Sequence, residues 1–443
     1  MTKARPGAAE AERPTGTLER RGLIGTQRDQ GPQGDQGPLR DQGTWRDQGS
    51  ERDQGSERGQ GSERDQVPQP GRTPEPRQGP ERGQGPEPGQ GPEHDQASGV
   101  VVGEEAPALL RRSRASVDPE LRSALASLPA TMRRIGLYHF GWQHADGTPA
   151  TGDAGKAIRP ALVLASAAAL GGPGARAGAV RAAAAVELVH NFTLLHDDVM
   201  DRDTTRRHRP TAWTVFGDAD AILAGDALQA LALRLLATDR HRASGAASAR
   251  LADCVVELCE GQHTDTALEH RAPDEVTLDE TLAMAEAKTG ALLGCACALG
   301  GLYAGAGAEE VAALDAFGRQ AGLAFQLIDD VIGIWGDPVR SGKPAGADLA
   351  ARKKSLPVVA ALTSGTPAAA RLAELYAAPY EEGKEDLAST AAIVERAGGR
   401  DWAQDQAADR MARAVQELAR AVPDPERAGD LLALAEFVTR RSG

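Results

Sequence analysis

Asp197, Asp198 and Asp201 lie close together in the stretch 186–211, VELVHNFTLLHDDVMDRDTTRRHRPT. Apolar Val186, Val189, Leu194 and Val199 recur at roughly helical spacing, and the first breaker is Pro210. The aspartates therefore belong at the end of a helix, with Asp197 and Asp201 four apart on one face and Asp198 beside them. Carboxylates this close repel one another and oppose the helix dipole, so the arrangement calls for a cation. Hard divalent ions take oxygen ligands, and Mg²⁺ typically shares itself between one or two carboxylates and a substrate phosphate. Arg206 and Arg207 follow at once and suit bidentate binding of phosphate.

A lone DDxxD run is more often a solvated acidic face than a metal site. Here a second carboxylate pair follows in a similar setting. Residues 325–330 read FQLIDD, which places Gln326, Asp329 and Asp330 on a second apolar segment. GKPAGAD with Lys343 and ARKKSLP with Lys353 and Lys354 come next. Two acidic helices, each followed by a basic loop, can face one another across a cavity and hold a diphosphate between metal ions.

The elements that must position these groups are helical. From about Pro107 the sequence is rich in Ala and Leu at helical spacing. Segments are expected at 175–200, 219–236, 249–268, 278–302 and 309–334, with Gly171-Gly172-Pro173 and Gly305 as breakers. Asp118-Pro119-Glu120 reads as an N-cap and first turn. No β-branched alternation marks a strand, so the expectation is an all-α bundle around a central cavity.

Residues 1–105 differ in kind. A hexad built on Arg-Asp-Gln-Gly recurs from Arg40, and Pro joins after Val67. The repeat offers no apolar inward position of the sort a β-helix turn needs, so the reading is a disordered low-complexity tail ahead of one folded domain at 106–443. Its apolar islands are Leu23-Ile24 and Val100-Val101-Val102.

The formal charge of −13 argues against non-specific nucleic-acid binding. Cys254, Cys259, Cys295 and Cys297 fall in helix-like apolar segments and read as core thiols in a reducing cytoplasm. The longest apolar run, 161–170, is too short for a transmembrane segment, and no signal core is present.

Taken in order, GKAIRP at 155–160, HDDVMDRDTTRRHRPT at 196–211, GQHTD at 261–265, KTG at 288–290 and FQLIDDVIGIWGDP at 325–338 resemble the trans-isoprenyl diphosphate synthases. The likeness covers about residues 107–443. It implies an isoprenoid-synthase helical bundle and a Mg²⁺-dependent, head-to-tail condensation of isopentenyl diphosphate with an allylic diphosphate. By that resemblance Asp197, Asp201 and Asp329, with Asp198 and Asp330 in support, ligate three Mg²⁺ ions, and Asp265 and Gln262 complete the shell. Arg206, Lys288, Thr289, Gln326, Lys343 and Lys353 face the allylic diphosphate, where positive charge helps the C–O bond ionise. Gly155, Lys156, Arg159, His190 and Arg207 form the isopentenyl diphosphate pocket, which needs no metal. The departures are Gly333 in place of a third aspartate and Ala157 in place of a polar residue.

Phe192, five residues before Asp197 and about 7.5 Å up the helix axis, with small Thr193 next to it, resembles the chain-length floor of enzymes that stop at C20. Geranylgeranyl diphosphate is the expected product and farnesyl diphosphate the alternative. A class I terpene cyclase would have no use for the second diphosphate pocket, and a non-catalytic partner subunit would lose acidic residues that are all present here. The resemblance favours a homodimer. The tail resembles cargo-loading segments that dock enzymes into encapsulin shells.

Overall fold

The computed structural model describes residues 102–152, 155–337, 345–378, 380 and 386–439. The low-complexity repeats and Lys343 lie outside the described residues. The first helix, α1 (Val102–Ala126), begins a few residues before the boundary expected at 106. Asp118 is not an N-cap: Pro107 and Pro119 both lie inside α1. A proline in a helix interior costs about 3 kcal/mol. Burial of Val117, Leu121 and Leu125, each at about 1.5–3 kcal/mol, outweighs that cost and keeps the helix continuous. Asp118 instead pairs with Arg114 one turn back, at 3.3 Å.

Next come α2 (Ala130–His139), α3 (Ile158–Gly178) and α4 (Val180–Met200). The breaker at 171–173 is a kink within α3, where Gly172 leaves helical geometry. A second break at Ala179 divides the segment expected at 175–200. After α4 the chain forms an antiparallel hairpin, β1 (Thr205–Arg206) with β2 (Arg209–Pro210), which the sequence pattern did not suggest. The pattern could not show it, because each strand is two residues long.

Short α5 (Ala212–Phe216) leads to α6 (Asp218–Ala237) and α7 (Ser244–His270). Next, α8 (Leu278–Ala285) passes through a π-helical turn (Glu286–Gly290) into α9 (Ala291–Ala304). The long α10 (Ala308–Trp335) follows. Shorter helices α11 (Ala347–Ala350), α12 (Leu356–Leu362), α13 (Pro367–Tyr376) and α14 (Leu387–Arg396) precede α15 (Gly399–Ala421) and α16 (Pro425–Thr439).

In the bundle α4 packs on α3 and α6, α7 lies between α6 and α9, and α10 lies between α9 and α15. Small residues permit these approaches: a Cβ on Gly318 of α10 would sit 2.4 Å from the Leu293 carbonyl of α9. The apolar stretch of greatest reach is Leu278–Ala304, not 161–170. By length and composition it could cross a membrane, but 67% of its apolar window is buried inside the bundle, as a core helix would be. Cys254, Cys295 and Cys297 are buried as expected, whereas Cys259 is exposed on α7.

Candidate active site

The helix α4 ends at the first acidic motif. Asp201 is its C-cap, and the Asp201 amide donates to the Asp197 carbonyl at 2.8 Å. Burial pushes the Asp197 carboxyl up to about 6; Lys288 pulls it down, and Asp201 pushes it further up. Asp201 is raised as well, chiefly by burial, and it too feels Lys288, Asp265 and Lys353. Asp265 comes from α7 and pairs with Lys288 at 2.5 Å. Burial disfavours the Lys288 charge, but Asp265 and Asp197 outweigh that and raise its pKa.

Lys288 owes its place to the π turn, which bulges the chain toward α7 between α8 and α9. The turn is tied to the second acidic helix by a relay. The Thr289 hydroxyl donates to Gln326 Oε1 at 2.8 Å, Gln326 Nε2 donates to Asp330 Oδ1 at 2.8 Å, and the Leu356 amide donates to Asp330 Oδ2 at 3.0 Å. Asp330 Oδ1 thus accepts from its own helix while Oδ2 ties α10 to the start of α12, and Thr289 and Gln326 are engaged in the same chain. Neighbouring Asp329 is exposed. Of the two adjacent lysines, Lys353 faces the site, 3.6 Å from Asp330, and its pKa is raised first by Asp330 and then by Asp348, Asp265 and Asp329. Lys354 turns away and donates to the Glu269 carbonyl at 3.0 Å.

Asp198 points into the protein. It is 1% exposed, its Oδ1 accepts from Arg206 Nε at 2.7 Å, and its Oδ2 has no hydrogen-bond partner. Burial pushes this carboxyl up to about 6 against the pull of Arg206. The hairpin that presents Arg206 turns at Arg207 (φ 52°) and His208 (φ 58°), both in the left-handed region. Such residues cost about 1–3 kcal/mol each and persist only where the surroundings hold them. Here Tyr138 Oη donates to the Pro210 carbonyl at 2.7 Å and Arg209 donates to the Tyr138 carbonyl at 2.8 Å. Thr211 Oγ1 and Trp213 Nε1 both donate to the Asp203 carbonyl at 2.8 Å.

The turn brings Arg207 against Gly155. Gly155 has φ 94°, and a Cβ there would lie 2.5 Å from the Arg207 guanidinium. Two residues on, Ala157 is also left-handed, and α3 begins at Ile158. Arg159, in the first turn of α3, lies 3.2 Å from His190 Nε2 on α4. A guanidinium can only donate, so Nε2 accepts and the ring proton is on Nδ1. Burial, then Arg159 and Arg207, push His190 well below its usual range and keep it neutral. Lys156 is exposed, with its ammonium 5.7 Å from the Phe437 ring of α16.

Sequence reading missed the groups behind this pocket. Glu187, 3% exposed and one turn before His190, lies among Arg114, Arg159 and Arg207. His139 of α2 is held neutral, its pKa pushed down to about 3 by burial and by Arg207, Arg206 and Arg209. The i, i+3 spacing of Glu187 and His190 was the available signal for the first. None existed for His139, which arrives from another helix.

Phe192 is 6% exposed in the main core and meets the His196 ring edge-on, with centroids 5.1 Å apart. His196 Nε2 lies 2.9 Å from the Ile222 carbonyl of α6. Thr193 is half-buried, and its hydroxyl donates to the His190 carbonyl at 2.8 Å. Gln262 of α7 has a buried Oε1 with no hydrogen-bond partner.

The donor set is entirely hard oxygen: raised carboxylates at Asp197 and Asp201, exposed Asp329 and orphaned Gln262 Oε1. It fits a divalent cation. Among the described residues no three ligating side chains already converge on one point. The remaining oxygens would come from a bound diphosphate.

Two acidic helices thus face a shared pair of lysines, beside a cationic pocket built around Arg159, Arg207 and His190. The sequence profile described as Polyprenyl synthetase matches residues 148–394. A geranylgeranyl diphosphate synthase from Mycobacterium tuberculosis is 50% identical over 345 residues, 77% of this chain and 96% of that protein. A (2E,6E)-farnesyl diphosphate synthase from Mycobacterium bovis is 43% identical over 329 residues, 73% of this chain and 90% of that protein.

Among solved structures, a polyprenyl synthetase from Streptomyces coelicolor A3(2) superposes with a TM-score of 0.70 at 44% identity, covering 75% of this chain and 99% of that one. A polyprenyl synthase from Caulobacter crescentus, complexed with calcium and isoprenyl diphosphate, gives 0.65 at 29% identity, covering 76% and 98%. The chain belongs to the polyprenyl synthetase family. It is a prenyltransferase of the short-chain prenyl diphosphate synthases, a family that works with a divalent metal.

Proposed function

We propose that the chain condenses isopentenyl diphosphate head-to-tail with an allylic diphosphate and releases geranylgeranyl diphosphate, with three Mg²⁺ ions at the acidic helices. The observation that carries this is the shared electrostatics of Asp197, Asp201, Asp265, Lys288 and Lys353, drawn from separate elements into one site. Asp197, Asp201 and Asp329 would hold the metal, while Asp198 and Asp330 brace Arg206 and Lys353. The bound ions would neutralise the allylic diphosphate as it leaves. Lys288, Lys353 and Lys343 add fixed positive charge around that leaving group, so ionisation requires no reorganisation. On the other side Arg159, Arg207, Lys156 and the Gly155 backbone hold the isopentenyl diphosphate. Neutral His190 adds no charge to the three cations there and offers Nδ1–H as a donor.

Fifty per cent identity to a geranylgeranyl diphosphate synthase, over 96% of that protein's length, supports the C20 product, and Phe192 is the proposed floor. The active form is proposed to be a homodimer, and the tail at 1–105 a docking segment for an encapsulin shell. Isopentenyl diphosphate supplied with dimethylallyl, geranyl or farnesyl diphosphate, with and without Mg²⁺, tests the reading by product length. A Mg²⁺-dependent C20 product is expected. A C15 product would transfer the assignment to farnesyl diphosphate, and a cyclic hydrocarbon from one allylic diphosphate would overturn it.

A further inference from the structure

Helix α1 reaches the cationic pocket from outside the region that carries the motifs. Arg114 Nη2 donates to the carbonyl oxygen of Gly155, 41 residues away, and Nη1 pairs with Asp118 on its own helix at 3.3 Å. The segment it grips is tightly turned: Gly155 at positive φ and left-handed Ala157, the strained one of the two, flank Lys156, and Arg159 follows in the first turn of α3. Beyond the loop, Glu187 lies buried among the same cations: burial raises its carboxyl, against the pull of Arg114, then Arg159 and Arg207. Asn191, fully buried, donates from Nδ2 to the Glu187 backbone carbonyl one turn back on α4, at 2.8 Å.

We propose that Arg114 is a positioning residue for the isopentenyl diphosphate pocket. Its bond to the Gly155 carbonyl fixes against Arg207 the loop that carries Lys156 and leads into Arg159, and the same guanidinium lies beside buried Glu187. This rests on assigning that pocket to isopentenyl diphosphate. Arg114 touches no substrate in this scheme. It narrows a loop that would otherwise sample other backbone states, and the effect falls on one substrate only.

The test uses the full-length chain. Isopentenyl diphosphate is titrated calorimetrically with metal chelated, and steady-state constants are then measured with Mg²⁺ and farnesyl diphosphate. Arg114→Ala is expected to raise the Kd and KM for isopentenyl diphosphate about tenfold, the size of one charge-assisted hydrogen bond. The KM for farnesyl diphosphate and kcat should stay within about twofold, because the allylic site is built from α4, α7, the π turn and α10. Arg114→Lys, which keeps a cationic donor, should recover part of the loss.

If Arg114→Ala fails to fold, Asp118→Asn removes the charge that aligns the guanidinium and should shift the same constant about threefold. Equal rises in both KM values, or an unchanged Kd in every variant, would overturn the inference. If the wild-type chain binds no isopentenyl diphosphate, the pocket assignment itself fails and the inference falls with it. An unchanged Kd in the variants alongside normal wild-type binding would sink the inference alone.

Discussion

Replacing Arg206 by alanine should destabilise the protein in a pH-dependent way, because it strands Asp198. That carboxylate is 1% exposed, and the bond from Arg206 Nε at 2.7 Å is the charge contact that holds it down. Even with Arg206 present, burial raises the carboxyl from 3.8 to about 6. An acid whose folded-state pKa is raised carries a proton in the fold where the unfolded chain has lost it. Its stability deficit is therefore full above about 6 and shrinks as the pH falls toward 3.8.

Without Arg206 the carboxyl should titrate higher still and enter the fold protonated at about pH 7.5. The extra cost there is bounded by the gap between about 6 and that pH, about 1.5 units or about 2 kcal/mol. At about pH 5.5 the wild-type group is already largely protonated, which leaves only the lost hydrogen bond, about 1 kcal/mol. Urea denaturation in the presence of chelator, at both pH values, reads the difference. An Asp198→Asn background should remove the pH dependence. Equal losses at the two pH values, or an undiminished loss in that background, would refute the reasoning.

The two adjacent lysines should separate cleanly. Lys353→Ala should lower turnover at least about tenfold by removing charge from the diphosphate site, whereas Lys354→Ala, which loses a bond to the Glu269 carbonyl, should cost about 1 kcal/mol of stability and leave kcat near wild type. Phe192→Ala should shift the product profile beyond C20 in chain-length analysis and cost about 3–5 kcal/mol in denaturant titration as a core truncation; an unaltered profile would place the floor elsewhere. Deleting residues 1–101, which stops short of α1, should leave both KM values unchanged and abolish co-purification with an encapsulin shell.

The sequence by itself determined the chemistry. Carboxylates at i and i+4 on an apolar helix, an adjacent carboxylate pair on a second helix, and basic residues after each are local facts, and local spacing fixes which side chains share a face. The helical class was legible for the same reason, since Ala and Leu periodicity over long segments has few other solutions. Which acid would face inward was not legible: Asp197 and Asp198 are neighbours, yet one meets Lys288 and the other is sealed against Arg206. The choice between Lys353 and Lys354 depended on Asp330, and the path of α1 through Pro119 on what it buries.

The hairpin at 205–210 carries two left-handed residues with side chains, a conformation that no local preference predicts and that contacts from Tyr138 and Asp203 enforce. The reach of Arg114 to Gly155 likewise needs α1 docked in the bundle. Sequence encodes what neighbours in the chain can do together. Only tertiary packing decides which distant charges meet, because burial makes an unpaired charge costly and the fold must bring a partner to it.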